Sequence, residues 1–163
     1  MAKNKEEKTN VMRVLEQKKI AYTPHSYPHE EGVAVDGVTV AKSMGFDPAI
    51  VFKTLVARGA SKQYYVFDVP VAENLDLKKA AKAVGEKSIE MIHQKELLPL
   101  TGYVHGGCSP VGMKKLFPTV IDASAENLAA MIVSAGKIGY QVELSPRDLA
   151  ALVRAKFADI IVE

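Results

Sequence analysis

The stretch that decides the fold is VFKTLVARGASKQYYVFDV, residues 51–69. It contains two runs rich in β-branched and aromatic residues, 51–58 and 63–69, and such runs are typical of β-strands. The residues between them, Gly59-Ala60-Ser61-Lys62, form a short turn sequence that begins with glycine. Two strand-like runs joined by so short a connection predict a β-hairpin, and therefore a sheet with antiparallel pairing.

Outward from the hairpin, the chain alternates short helices with short strands. Pro24 and Pro28 keep residues 21–28 extended. Apolar periodicity and capping residues predict helices at 9–19, 38–44, 77–84, 93–98 and 146–155, with Asp76 and Ser145 as caps and Pro99 ending the fourth. Further strands are expected at 88–91, 119–123, 129–134 and 141–144, with a helix at 126–131 as the alternative. This mixture predicts a single α/β (α+β) domain over residues 1–163, with a mixed, mostly antiparallel sheet.

The composition is that of an ordinary globular protein, with 48% hydrophobic and 25% charged residues. The longest apolar stretches are too short to span a bilayer, and the charged N-terminus lacks the apolar core of a signal peptide. The single cysteine, Cys108, rules out an internal disulfide and fits a reducing compartment, so we expect a cytoplasmic protein. A net charge of +2 excludes the basic profile of proteins that coat nucleic acid, so any RNA must be held by a local patch.

Most standard catalytic and metal-binding motifs are absent. The glycines of the loop at 102–110 lack the spacing of a dinucleotide-binding loop, and the chain has no P-loop. His25 and His29 are four residues apart, which suits a metal only on a helix, and the prolines beside them exclude a helix there. With four histidines and one cysteine in the chain, we expect neither a metal site nor a cofactor.

Lys53 is the most unusual residue of the hairpin. Its side chain shares a strand face with Val51 and Leu55, because successive side chains of a strand point to opposite faces. Two interpretations are open. Either the lysine stem reaches solvent at an open sheet edge, or the half-buried ammonium group donates to a phosphate, a carboxylate or a developing oxyanion.

Two glycine-containing loops are further candidates. Paired glycines at Gly106 and Gly107 allow backbone amides to approach a ligand closely, or they form only a tight turn. The segment 134–139, with Ser134 and Gly136, forms either a second rim of a pocket or a hairpin turn. Cys108 lies in the first loop, but no group is placed to activate its thiol, which favours a structural role.

Several segments occur together in a specific order: Phe52–Leu55, Asp76–Lys79 with Gly85, Gly106–Pro110, Ile121-Asp122, Ser134–Gly139, and the ending 155–160. Taken together they resemble the YbaK family of prolyl-tRNA synthetase-associated editing domains. The resemblance covers nearly the whole chain. It is closest to the branch of free-standing Cys-tRNA(Pro) deacylases, through Thr101-Gly102-Tyr103 and the Gly-Gly-x-Ser-Pro loop followed by Gly112-x-Lys114-Lys115.

The resemblance implies a curved mixed sheet that approaches a barrel, with helices packed around it. It also implies a pocket without metal or cofactor, in which Lys53 is catalytic. The substrate-binding residues that it implies are Tyr22, Thr54, Gly106, Gly107, Ser134 and Gly136. Two positions depart from relatives: Gln141 stands where some carry an acidic residue, and Asp36 where some carry an aromatic one. These departures concern amino-acid selectivity more than the reaction.

The reaction implied is the trans-editing hydrolysis of mischarged aminoacyl-tRNA, above all Cys-tRNA(Pro). In the deacylases that the chain resembles, the thiol of the bound cysteine attacks its own ester and releases a cyclic thiolactone and free tRNA. The expected partners are the tRNA acceptor end and prolyl-tRNA synthetase in a ternary complex. Lys114-Lys115 is a candidate for binding acceptor-stem phosphates, with a solvated basic turn as the alternative.

Three other interpretations stay open. The protein could deacylate another small amino acid, as in Ala-tRNA(Pro). It could be a non-catalytic module that binds an aminoacyl or nucleotide ligand. It could also be a conventional hydrolase with Cys108 as nucleophile, which predicts that Cys108→Ala is inactive.

Overall fold

The computed structural model describes residues 8–163. Within that range the α-helices are α1 (Asn10–Gln17), α2 (Gly37–Ser43), α3 (Leu77–Val84), α4 (Gln94–Thr101) and α5 (Pro146–Val153). The strands are β1 (Thr23–Ser26), β2 (Phe52–Gly59), β3 (Tyr64–Pro70), β4 (Ile89–Met91), β5 (Thr119–Asp122), β6 (Met131–Ser134), β7 (Tyr140–Leu144) and β8 (Lys156–Ala158). Every helix described falls short of a membrane span in length and apolar content.

The predicted capping residues define the helix ends. The Asp76 carboxylate accepts the first free backbone N–H groups of α3, and Gly85 ends that helix with a φ of 75°. Ser145 Oγ accepts the N–H of Asp148 at 3.2 Å and so begins α5. These local signals place the helices correctly because they depend only on residues within one turn.

The predicted hairpin lies at the centre of a five-stranded sheet with the order β4-β2-β3-β5-β8. Strand β2 pairs antiparallel with β3 and β4, whereas β3-β5 and β5-β8 are parallel. In the hairpin register Lys53 is opposite Val69 and Thr54 is opposite Asp68. Strand β4 pairs with β2 only at residues 57–59. Residues 53–55 therefore have a ladder partner on one side only.

The two faces of this sheet are covered differently. One face, with Phe52 and Val66, packs in the large apolar core that contains α1 and α5 residues such as Leu15 and Leu149. The opposite face, with Phe67, packs against α3. Because both faces are covered, β3 is apolar along nearly its whole length, as in other sheets buried on two sides.

The remaining strands form a separate antiparallel sheet with the order β1-β7-β6. One parallel bridge, between Val51 and Ile132, connects it to the central sheet. A mixed, mostly antiparallel α+β fold is confirmed. The expected approach to a barrel is not: a barrel requires each strand to have two neighbours, and within residues 8–163 the sheets do not close on each other.

The predicted end of α4 at Pro99 is wrong. Proline lacks an N–H donor and so removes one hydrogen bond, yet the helix continues to Thr101. The last turn is closed by other groups: Thr101 Oγ1 donates to Leu97 O at 2.7 Å, and the N–H of Gly102 donates to Leu98 O at 2.8 Å.

The strand expected at 129–134 is confirmed by β6, and the alternative helix at 126–131 does not form; a 3₁₀ turn at Ala123–Ala125 precedes the strand. Strand β8 was not predicted, since three residues carry no readable alternation, and it forms only by parallel pairing with β5.

Candidate active site

A cavity of about 380 Å³ lies beside the partly unpaired half of β2. It is surrounded by the start of β2, the segment before α2, the loop after α4 and the ends of β6 and β7. Four predicted site residues line it: Lys53, Thr54, Gly106 and Ser134. Tyr27, Asp36, His105, Cys108 and Gln141 line it as well.

Lys53 extends into this cavity from the face it shares with Val51 and Leu55, and it is half-buried. Burial lowers the pKa of its ammonium group, while the negative charges of Asp36 and Glu73 oppose that shift. Among residues 8–163, no carboxylate forms an ion pair with it. A desolvated and unpaired cation retains its hydrogen-bond donors for an anionic ligand or a developing oxyanion.

Thr54 connects the cavity to a fully buried carboxyl group. Its Oγ1 donates to Asp68 Oδ1 at 2.5 Å, and Asp68 is 0% exposed. Asp68 Oδ2 has no hydrogen-bond partner among the described residues. Burial raises the pKa of Asp68 to about 7, although the bond from Thr54 lowers it. Sequence reasoning missed Asp68; the available signal was an acidic residue inside the otherwise apolar run 63–69.

Ser134 joins the two glycine loops. Its Oγ donates to Gly107 O at 3.0 Å and accepts the N–H of Gly136 at 3.0 Å. Ser134 therefore lines the cavity while its hydroxyl fixes the positions of the loops on either side. Gly107 and Gly136 are not among the lining residues and lie in the wall behind it.

The glycines are required by close packing. Gly106 has a φ of 90°, and a Cβ there would lie 2.7 Å from Ala34 Cβ. A Cβ at Gly107 would lie 3.0 Å from the backbone nitrogen of Ile138. Gly106 packs against the segment before α2 and Gly107 against the loop 134–139, so a side chain at either position would push the cavity wall outward.

Tyr22 lies away from the cavity. Its hydroxyl donates to Glu16 Oε2 at 2.6 Å, so the side chain is directed toward α1. The tyrosine that lines the cavity is Tyr27, which is buried and whose N–H donates to Gly139 O at 3.0 Å. The sequence offers two tyrosines flanking one short strand, and only the pairing of β1 with β7 decides which of them faces the cavity.

Asp36 and Gln141 both line the cavity. Asp36 Oδ2 also accepts the N–H of Thr39 at 3.2 Å, which caps α2. Gln141 is buried, and its Oε1 has no partner among the described residues. The predicted effect of these two positions on selectivity stays a prediction.

Lys114 and Lys115 do not line the cavity. Lys114 Nζ donates to Pro99 O at 3.3 Å, and Lys115 Nζ lies 5.9 Å from the centroid of the Phe117 ring. Their predicted contact with acceptor-stem phosphates stays a prediction. In the described part of the chain, no group of three His, Cys, Asp or Glu side chains is arranged to hold a metal ion.

Cys108 lines the cavity but is poorly suited to act as a nucleophile. Burial, together with the nearby negative charge of Asp68, raises the pKa of its thiol to about 12. The side chain that bonds the thiol is Thr101 and not a histidine. At neutral pH the group is therefore a protonated thiol, whereas the attacking species in cysteine hydrolases is the thiolate.

We predict that Cys108→Ala keeps the activity of the wild type within about threefold, because the substituted group contributes packing and not chemistry. Initial rates with the aminoacyl-tRNA ester that the sequence resemblance implies as substrate, measured on a variant with an unchanged circular dichroism spectrum, test this. A folded but inactive Cys108→Ala protein would show instead that the thiol is the nucleophile.

The profile of the aminoacyl-tRNA editing domain family matches residues 32–152. This chain belongs to that family, whose members act on mischarged aminoacyl-tRNA.

The chain is 45% identical, over 98% of its length and 98% of the other, to EbsC of Enterococcus faecalis, a protein named as a Cys-tRNA(Pro)/Cys-tRNA(Cys) deacylase. It is also similar to a solved structure assigned as a trans-editing enzyme for prolyl-tRNA synthetase. That similarity has a TM-score of 0.79 and 25% identity, and covers 94% of this chain and 95% of the other. A hypothetical protein of known structure shares the fold with a TM-score of 0.82 at 20% identity, over 93% of this chain and 99% of its own.

Proposed function

We propose that this editing domain removes cysteine from mischarged tRNA in trans, above all from Cys-tRNA(Pro). The observation that carries the proposal is Lys53, a half-buried cation without an ion-pair partner among residues 8–163, in a cavity that contains no activated nucleophile. The name of the 45% identical relative supports the choice of cysteine. A volume of about 380 Å³ suits a small amino acid and part of a ribose.

The substrate supplies the nucleophile in the proposed mechanism. The thiol sulfur of the bound cysteine attacks its own ester carbonyl carbon, and the bond from that carbon to the ribose oxygen breaks. The thiol proton passes to the leaving ribose oxygen, so the products are a cyclic thiolactone and free tRNA. Lys53 stabilises the oxyanion that forms on the carbonyl oxygen, or holds the terminal ribose or phosphate.

The proposed substrate-binding residues have different parts in this site. Thr54 and Tyr27 line and shape the cavity, whereas the Tyr22 hydroxyl bonds Glu16. Ser134 fixes the wall formed by Gly106, Gly107 and the loop of Gly136.

A partner is proposed to select the tRNA. The formal net charge of +2 gives little nonspecific attraction for RNA. Prolyl-tRNA synthetase, holding the same tRNA in a ternary complex, would supply that affinity, and the reaction would take place in the cytoplasm.

The test is release of amino acid from purified Cys-tRNA(Pro), with Ala-tRNA(Pro) and Ser-tRNA(Pro) in parallel, each with and without prolyl-tRNA synthetase. We expect rapid loss of cysteine only, because serine and alanine lack the attacking thiol. Loss of alanine instead would place the protein with editors of another small amino acid. No hydrolysis of any ester under either condition would favour a non-catalytic binding module.

A further inference from the structure

A second cavity, of about 470 Å³, lies on the other side of the glycine loops. It is lined among others by His29, Tyr103, Val104, Lys137 and Tyr140. Ile138 also lines it, and this residue lies behind Gly106, which lines the first cavity. The two cavities therefore meet on either side of the contact between Gly106 and Ile138.

The His29 ring is exposed, yet several contacts hold it in place. Its Nδ1 lies 3.0 Å from Tyr27 O, and since a carbonyl only accepts, this nitrogen carries a proton. One side of the ring lies over Gly139, where a Cβ would be 2.2 Å from His29 Cε1. It also packs in T-shaped geometry with Tyr27 and Tyr140, at centroid distances of 6.0 and 5.8 Å.

An aromatic ring that is both exposed and fixed is a surface for stacking. Nucleobases stack on such rings without a strict sequence requirement, because every base has a π-face, and a ring that is already ordered loses little entropy on binding. Charge does not dominate here. Lys137 Nζ lies 5.5 Å from the centroid of Tyr140, but the exposed Glu31 also lines the cavity. With a lysine and a carboxylate both at its edge, the cavity suits a base better than a dense cluster of phosphates.

We propose that this second cavity binds the unpaired nucleotides that precede the terminal adenosine of the tRNA, with one base stacked on His29. The inference rests on the proposed function, in which the ester of the terminal adenosine lies beside Lys53. The preceding nucleotides must then leave the first cavity over its rim. Tyr27 lines that cavity and contacts His29, so a path along this side of the rim leads from one cavity to the other.

The first test measures binding alone. The trinucleotide CCA and free adenosine are titrated separately into the wild type, His29→Ala and His29→Phe, and followed by NMR. We expect CCA to bind the wild type about 5- to 100-fold more tightly than adenosine. The difference should disappear in His29→Ala and persist in His29→Phe, which keeps an aromatic ring. Equal binding of both ligands to the wild type, or a difference that survives in His29→Ala, would overturn the inference.

A kinetic test separates this inference from the proposed function. Cysteinyl-adenosine lacks the preceding nucleotides, so its hydrolysis by the wild type examines the first cavity only. His29→Ala should raise KM for Cys-tRNA(Pro) about 5- to 100-fold while leaving hydrolysis of cysteinyl-adenosine unchanged. Lys87→Ala, which removes an exposed side chain outside both cavities, is the control and should change neither. If His29→Ala slows both substrates equally, the residue supports the first cavity and binds no nucleotide.

Discussion

Lys53→Ala is expected to slow the release of cysteine from Cys-tRNA(Pro) by ~10²–10³-fold, the effect of removing one donor to an oxyanion. The lysine contributes the only cationic side chain among the described residues that line the cavity. Single-turnover rates at saturating enzyme are the decisive measurement, because they report the chemical step and not substrate capture. Lys53→Met should be equally slow, since it keeps the length of the side chain but has no charge or donor.

We do not expect the lower rate of Lys53→Ala to result from unfolding of the variant. Burial lowers the pKa of Lys53, so its charged form is disfavoured in the folded protein, and its removal leaves no partner unpaired. Thermal denaturation of Lys53→Ala should therefore show a midpoint at or above that of the wild type. Lys78→Ala is the matched control, because Lys78 is exposed on α3 and does not line the cavity. A raised KM with an unchanged single-turnover rate would restrict Lys53 to substrate binding.

Asp68→Asn is expected to change how the free energy of unfolding depends on pH. In the folded protein the Asp68 pKa is raised from 3.8 to about 7, because the carboxyl group is buried. Above pH 3.8 the unfolded chain ionises this group while the folded protein keeps it protonated, so unfolding releases a proton and stability falls as pH rises. Asp68 therefore accounts for a loss of about 2–3 kcal/mol between pH 5 and pH 8.

The asparagine removes this titration while keeping an oxygen that accepts the Thr54 hydroxyl. Urea denaturation of wild type and Asp68→Asn at pH 5, 6.5 and 8 measures the difference. The free energy of unfolding of Asp68→Asn should rise relative to that of the wild type at each step from pH 5 to pH 8. Parallel curves for the two proteins would show that Asp68 titrates alike in the folded and unfolded states.

A second buried aspartate provides a contrast. Asp122 is 2% exposed, but its oxygens accept the N–H groups of Ser124 and Ile160, each at 3.0 Å. Asp122→Asn replaces one acceptor oxygen by a donor that faces an N–H group. It should lower the free energy of unfolding by about 1–3 kcal/mol near neutral pH. At pH 8 the changes in the free energy of unfolding caused by Asp68→Asn and Asp122→Asn should have opposite signs. That outcome would distinguish an unsatisfied buried carboxylate from a satisfied one.

The elements that the sequence predicts best are those with local causes. The hairpin and α3 follow from strand propensity, a short turn, and the caps Asp76 and Gly85, all within a few residues of chain. The last turn of α4 is not predicted by such reasoning because Thr101 and Gly102 close it in spite of Pro99, and the three-residue strand β8 forms only by pairing with β5. The side of residues 53–55 that has no ladder partner likewise depends on where the short strand β4 stops pairing with β2.

The candidate site shows the same division between features with local causes and features set by tertiary packing. By itself the sequence predicted that Lys53 shares a strand face with apolar residues, that two glycine-containing loops form either pocket rims or turns, and that Cys108 has a structural role. Those conclusions need only the two-residue period of a strand and the chemistry of single side chains. Tertiary structure alone decided that Tyr27 lines the cavity, that Ser134 joins two loops, and that Asp68 is buried against Thr54. Each of these depends on register and packing between residues far apart in the chain, and solvation and pKa follow from that packing.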